Sequence, residues 1–472
     1  MNEEIKTDEI TINGQRPSEN KMGVMPVGKL LMSMSLPMMA SMLIQACYNV
    51  VDSVFVAKIK DPIVENAGTA AINALGMAFP FQTLLIAFAA GTCVGVNALL
   101  SKALGEKDEN TVHKATMNGI FLMGLSYILF LLIGLFLPEI LIRSQGGEGL
   151  TLQYGTQYLR IVCVLSFGLY AQFIFERLLQ ATGRTLFTMV TQTTGAIINI
   201  ILDPVFIFKC GLGVAGAAYA TVIGQIVAAI LAVIFNVKKN PDIHIQFSGF
   251  RPDGKTIGRI YAVGIPTIIM QSIGSVMTYL MNKLLVRLDE AAVAVFTVYF
   301  KLQSFFFMPL FGLNNGFVPI LAYNYGAQKR KRMNSVIKKS MFVGFLLMLV
   351  GCLAFEFIPG VLLKIFDTGD ASLIELGKPA LRIIGTHYLL AWFCIVGGSV
   401  FQALGNGVYC MIVSVSRQLV VLLPVAYALG TFFGLPWVWL SFPIAELVSF
   451  ALNLIFMIRI SKNIIQKVPD GE

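Results

Sequence analysis

Residues 79–107, FPFQTLLIAFAAGTCVGVNALLSKALGEK, align without a gap on residues 300–328, FKLQSFFFMPLFGLNNGFVPILAYNYGAQ. Phe79, Gln82, Gly91, Gly95 and Gly105 fall on Phe300, Gln303, Gly312, Gly316 and Gly326. The register continues further on. YLRI at Tyr158 meets ALRI at Ala380, and LQATG at Leu179 meets FQALG at Phe401, both at a shift of 222 residues. The first block has a shift of 221, one residue less; chance does not place so many matches on adjacent diagonals, so the chain consists of two halves built from one unit.

The unit is a membrane bundle. Of 472 residues, 56% are hydrophobic and 13% charged, a balance with no place for its apolar surface in a soluble domain. The apolar residues fall in blocks long enough to cross a bilayer, which takes roughly 20 residues. Twelve are read, near 28–56, 68–101, 112–137, 153–180, 185–208, 213–236, 258–287, 291–325, 334–358, 376–404, 407–432 and 435–459. The fold class is therefore an all-α polytopic membrane protein, with twelve transmembrane helices in two pseudo-symmetric six-helix bundles. The expected layout is a cytoplasmic tail (1–27), an N-lobe (28–236), a basic interlobe loop (237–257), a C-lobe (258–460) and a second cytoplasmic tail (461–472). Six is an even number, so both halves enter the membrane the same way round. That relates them by an axis along the membrane normal and leaves a cavity between them.

A net charge of +9 raises the question of nucleic acid, but the charge is distributed by topology. Alternating the loops from a cytoplasmic N-terminus leaves about 23 Lys/Arg inside and about 7 outside. Lys238, Lys239, Arg251, Lys255 and Arg259 share one inner loop, and the run from Lys329 to Arg332 another. This is the positive-inside pattern of a bacterial inner (cytoplasmic) membrane protein with both termini in the cytoplasm. Residues 1–25 are polar and mixed in charge, unlike a secretory signal. The seven cysteines show neither CxxC nor Cys/His ligand spacing. There is no GxxxxGK[ST] phosphate loop and no HExxH or GxSxG element. The chain reads as a transporter, not an enzyme, with no cofactor, no nucleic-acid partner and no obligate protein partner; its partners are small organic cations and membrane lipid.

Ionisable residues inside spans cost several kcal/mol unless paired or hydrated, so each is a functional candidate. Asp52 stands near the end of span 1. Asp203, in NIILDP, stands near the end of span 5 with Asn199 one turn earlier on the same face. Pro204 removes a backbone donor, tending to kink the helix and free a carbonyl. Two carboxylates, an amide oxygen and a freed carbonyl are hard ligands suited to a small cation or an exchangeable proton. The rival reading is two interfacial, solvated aspartates. Gln45 and Tyr48 share a helical face with Asp52. Glu176 is read either as a counter-charge for a cationic substrate or as an ion pair with Arg177 or an interface-solvated acid at the helix end. Lys301, Arg382, Arg417 and Glu446 are read as structural ion pairs of the C-lobe. His387 is either a proton carrier or a hydrogen-bonded packing residue.

The segments LPMMASMLIQACYNVVDSVFVAK, LLQATGRT, NIILDPVFIF and GLGVAGAAYATVIGQ resemble the multidrug and toxic compound extrusion family, and the likeness runs from about Lys29 to Ile460. The resemblance implies antiport by alternating access, in which organic cations and drugs leave while sodium ions or protons enter. It is similar to the bacterial branches whose coupling carboxylates lie in the N-lobe. On matching positions Asp52, Asn199, Asp203 and Thr221 correspond to the coupling-cation site, where sodium binds if sodium is the coupling ion. Gln45, Tyr48 and Tyr158 correspond to cavity residues, and Glu176 replaces a polar amide. Some relatives carry acids in the C-lobe; here Met281 and Val425 stand opposite Asp52 and Asp203. Two alternatives stay open: a lipid-linked precursor flippase of the same superfamily, and a non-transporting membrane scaffold.

Overall fold

The computed structural model describes residues 20–57, 67–364 and 371–469. It contains the helices α1 (Val27–Ala57), α2 (Ala67–Glu106), α3 (Glu109–Phe136), α4a (Gly149–Val164), α4b (Phe167–Ala181) and α5 (Thr185–Pro204). They continue as α6 (Gly213–Lys239), α7 (Gly254–Leu288), α8 (Glu290–Gly326) and α9 (Arg330–Phe357). The last are α10a (Ala371–Gly385), α10b (Tyr388–Ala403), α11 (Gly407–Phe433) and α12 (Ser441–Asn463). Ten spans are single rods or nearly so; the bent pairs α4a/α4b and α10a/α10b bring the number to twelve. Long apolar runs make these helices because hydrocarbon offers backbone groups no partner except one another. Where α3 and α7 emerge, Asp108 and Asp253 cap them by accepting the amides of Thr111 and Thr256 at 3.0 and 2.9 Å. The threonine hydroxyls bond the same carboxyls and, with the amides, hold both below the usual carboxylate range.

The repeat is reproduced in three dimensions, including features the hydropathy did not show. A short helix follows span 3 (Pro138–Ser144) and another follows span 9 (Pro359–Lys364). The fourth and tenth spans bend by 46° and 52° at corresponding places. At each bend a side chain takes a carbonyl that the helix would otherwise use: Ser166 Oγ donates to Cys163 O at 2.7 Å, and His387 Nδ1 meets Ile384 O at 2.5 Å. His387 is buried against Phe307, Tyr388 and Phe442, so the packing reading describes its setting. Even backbone outliers recur: Lys107 and Gln328 have φ of 57° and 55°.

The lobes meet at the end of the molecule where the described chain begins and ends, at residues 20 and 469, hereafter its termini, and the repeated glycines explain how. α2 packs on α7, α8 on α1, and α2 on α8. A Cβ on Gly91 would stand 2.8 Å from Gly264 O of α7; one on its repeat mate Gly312 would stand 2.5 Å from Met39 Cα of α1. Gly105 and Gly326 lie closest to the pseudo-axis, each facing the other helix's backbone carbonyls, at Tyr323 and Lys102 respectively. Only glycine allows such approach. Farther from the termini the same faces separate. Asn73 and Ala294, five turns before Gly91 and Gly312, are exposed, as are Pro80 and Lys301. The cleft between the lobes thus opens away from the termini.

Residues 20–25 do not trail off from this closed end. They precede α1 of the N-lobe but dock on the C-lobe. Arg332 Nη2 donates to Met22 O and Met25 O at 3.1 and 2.7 Å, Asn324 Nδ2 to Met22 O at 3.1 Å, and Lys329 Nζ to Gly23 O at 3.0 Å. On the other side Asn20 Nδ2 donates to Thr182 O of the N-lobe at 3.3 Å. Burial, then the neighbouring Arg184, lowers the Lys21 pKa below the ordinary lysine range.

Gly105→Val should open this end, since overpacking at a backbone contact costs about 1–3 kcal/mol. A cysteine at Ala98, 5% exposed and on the same face of α2, reports the change. In a background without Cys47 and Cys210 it should react with a maleimide about tenfold faster in the valine variant. An unchanged rate would mean that the glycine contact does not hold the end closed.

Candidate functional site

Among the described residues the N-lobe holds two buried carboxyls, one on α5 and one on α4b that α5 side chains bond. The first is Asp203, fully buried near the helix end. Asn199, one turn back and 3% exposed, donates from Nδ2 to Asp203 Oδ1 at 3.4 Å and to Thr221 Oγ1 of α6 at 3.3 Å. These bonds are long, near the limit for N–H···O geometry. Asn199 Oδ1 is buried without a hydrogen-bond partner among the described residues. The helices approach closely enough for this contact because glycines face each other: a Cβ on Gly195 would stand 3.0 Å from Gly224 O. Pro204 follows, and the helix widens into a π-turn over Val205–Lys209 that is closed by Cys210 N–H donating to Val205 O at 2.9 Å. Such widenings recur at functional sites. The sequence foresaw a proline kink; the structure resolves it as this change of winding.

Of the other residues proposed for this region, Asp52 lies on α1, and its side chain falls outside the described residues. Gln45 is exposed and Tyr48 half-buried on the same helix. Tyr158 is buried on α4a, its hydroxyl 3.5 Å from Gln82 Oε1 of α2.

The second carboxyl is Glu176 on α4b, 4% exposed. Here the ion-pair and interfacial-solvation readings are both corrected. Glu176 Oε1 accepts from Gln172 Nε2 at 3.0 Å and Thr191 Oγ1 at 2.9 Å, and Oε2 from Gln192 Nε2 at 2.7 Å. Ser41 of α1 continues the chain, donating to Gln192 Oε1 at 2.6 Å. Arg177 points elsewhere, because adjacent residues on a helix diverge by about 100°. Its Nη1 donates to Gln180 Oε1 at 2.8 Å and crosses to Asn315 Oδ1 of α8 at 3.0 Å. Sequence reasoning missed Ser41, Gln172, Thr191 and Gln192. Only Gln172 carried a signal, standing one turn before Glu176; the others come from spans 1 and 5, and only packing brings them in.

The C-lobe charges divide. Arg417 Nη1 meets Glu446 Oε2 at 3.3 Å, an ion pair between α11 and α12 within a second π-segment, Ser416–Leu422. Arg382 instead donates from Nε to Glu356 O at 3.2 Å, and Lys283 and Lys301 are exposed. Among the described residues the lobes are chemically unlike: the N-lobe holds two buried carboxyls with hydrogen-bond partners, whereas the buried C-lobe acid has an arginine.

The chain matches the MatE family model over residues 37–205 and 266–428. It is 27% identical to the multidrug export protein MepA of Staphylococcus aureus over 439 residues, covering 92% of this chain and 94% of that one. MepA of Staphylococcus haemolyticus is 26% identical, with 91% and 94% covered. Among solved structures, an outward-facing multidrug resistance transporter of the MATE family superposes with a TM-score of 0.88 at 23% identity, covering 96% of this chain and all of that one. A superfamily member from Pyrococcus furiosus, described as having a binding pocket of reverse polarity, superposes at 0.87 and 24%, with the same coverage. Both show that the fold is shared.

Glu176→Leu should be far more damaging than Glu176→Gln. Leucine strands the buried Thr191 hydroxyl and the half-buried amides of Gln172 and Gln192, and a buried donor left unpaired costs about 1–3 kcal/mol, whereas glutamine keeps an acceptor. In detergent the leucine variant should melt several degrees below wild type and the glutamine variant within a degree or two. Equal melting would place the carboxyl outside the network described.

Proposed function

The chain belongs to the MATE transporter family, and on that premise we propose that it is a secondary antiporter that exports organic cations in exchange for sodium ions or protons. The observation that carries this is the pair of buried acids in one lobe, Asp203 on α5 and Glu176 on α4b bonded to α5 through Thr191 and Gln192. By the Lys/Arg asymmetry, the terminus-bearing end is cytoplasmic. The cleft then faces outward, in a bacterial inner membrane, between an N-lobe of residues 28–236 and a C-lobe of 258–460.

In this state an external ion reaches Asp203, with Asn199, Thr221 and Asp52 completing its oxygen shell. Asn199 Oδ1 supports that role, as a buried acceptor among the described residues that an incoming cation or hydronium can use. Glu176 supplies the counter-charge for the cationic substrate. Its carboxyl accepts from three donors, two of them the half-buried amides of Gln172 and Gln192. Gln45, Tyr48 and Tyr158 line the approach.

The spacing decides how the two centres communicate. Gln192, which holds Glu176, and Asp203 are eleven residues apart on α5, about 16 Å along the axis. Unit charges at that separation interact by only about 1 kcal/mol at an effective dielectric near 20, roughly fivefold in affinity. Direct repulsion is therefore too weak for tight exchange. The coupling runs through α5 and its neighbour α1, which carries both Asp52 and Ser41. Ion binding at the π-turn end shifts the helix, loosens the Ser41–Gln192–Glu176 chain and releases the substrate outward. The lobes then rock to face the cytoplasm. Lipid-linked flippase activity is less well supported, because Arg417, a cation that would meet a pyrophosphate, is engaged by Glu446.

Inside-out vesicles carrying the protein should accumulate a fluorescent organic cation when a sodium or proton gradient is imposed. Asp203→Asn should abolish gradient-driven uptake at normal membrane insertion. Glu176→Gln should raise the half-saturating concentration of a monocation about tenfold while leaving gradient dependence intact. Full driven uptake in Asp203→Asn would overturn the N-lobe mechanism.

A further inference from the structure

A polar groove opens on the outer surface of the N-lobe, away from both acidic centres. It has a volume of about 500 Å³ and lies between α4a, the start of α6 and the short helix Pro138–Ser144. Its polar lining is Gln153, Thr156, Gln157 and Arg160 of α4a, Tyr219 of α6 and Glu139. Helical geometry shows which way it faces. Tyr158 points inward to Gln82, and Arg160, two residues on, is turned about 200° from it. Thr221 faces Asn199, and Tyr219, two residues before, is turned away by the same angle. Gln153, Gln157, Arg160 and Tyr219 are all exposed, while Gly155, Tyr158, Leu159 and Val162 between them are buried. The groove therefore faces lipid rather than the transport cavity.

A cation there is anomalous. Arg160 lies eleven residues into α4a, so its Cα is about 16 Å along the helix from its first residue. It makes no ion pair or hydrogen bond among the described residues, and the Thr156 hydroxyl in the same groove is buried without a partner. Glu139 does not neutralise it, being paired with Arg143 at 2.8 Å on the rim. An unpaired guanidinium on a lipid-facing surface is costly unless it reaches a phosphate. Arginine's planar fork suits a phosphodiester, the flanking amides and hydroxyls supply further donors, and Tyr219 is the aromatic type favoured at headgroup depth.

We propose that this groove binds the phosphate of a membrane phospholipid in the leaflet remote from the termini, with Arg160 as the principal contact. The site is separate from the transport centres and does not depend on which ion or substrate is carried. On the orientation argued above, the leaflet is the outer one. Bound lipid then braces α4a against α6, the helix that presents Thr221 to Asn199.

The test is native mass spectrometry of the delipidated full-length protein, titrated with dioleoylphosphatidylglycerol and, separately, dioleoylglycerol. Wild type should retain the first bound phosphatidylglycerol about fivefold more tightly than the diacylglycerol, as expected for one basic contact. Arg160→Gln should erase that preference, and Gln157→Leu should reduce it. Equal retention of the two lipids by wild type would overturn the assignment, as would an undiminished preference in Arg160→Gln. A third arm adds inorganic phosphate in excess. If it displaces the phosphatidylglycerol at concentrations comparable to the lipid's, the groove is a free-phosphate site and the lipid proposal fails.

Discussion

Everything in this molecule hangs on how closely two helical lobes approach at one end. In a bilayer the hydrophobic effect does not press helices together, so association depends on close packing and on polar contacts between backbones. Gly91, Gly95 and Gly105 with their mates Gly312, Gly316 and Gly326 provide that approach. Ser35 adds a hydrogen bond to Leu313 O at 3.2 Å, and Arg177 reaches Asn315. The segment before α1 ties off the same end. Because the contacts are concentrated there, the opposite end is free to diverge into a cleft, and the rocking proposed above has this interface to break.

On this near-symmetric frame the chemistry is asymmetric. The repeat sets the bends, the short helices and even the two non-glycine residues of positive φ in both halves. It does not duplicate the acids. Val425 stands where the repeat would place a second Asp203, and Gly398 where it would place a second Glu176. The C-lobe's own buried acid, Glu446, is held by Arg417. In the mechanism proposed above, a scaffold of two similar halves supplies the motion and the N-lobe acids sense ion and cargo.

The fold was legible in the sequence to within a few residues per span, because lipid restricts the chain to continuous apolar helices and the repeat checks every boundary twice. The bends at Ser166 and His387 were not, since a side chain capturing a carbonyl leaves no trace in hydropathy. The site was legible in part. Asn199 and Asp203 lie one turn apart on one helix, so their contact follows from spacing; the bond to Thr221 rests on how α5 packs against α6. Glu176 was misplaced toward Arg177 because adjacency in sequence suggested a partner that helical geometry turns away. Its partners Thr191 and Gln192, with Ser41 behind Gln192, come from other spans and were out of reach without the packed bundle.

The account stands or falls on antagonism between ion and organic cation within the N-lobe. It can be measured on purified protein by titrating a fluorescent organic cation at increasing sodium concentration and at decreasing pH. Wild type should lose affinity as one of the two ions rises. The loss should vanish in Asp203→Asn and persist in Glu446→Gln. Antagonism that survives in Asp203→Asn, or disappears in Glu446→Gln, would contradict an N-lobe site and move the coupling to the other half of the molecule.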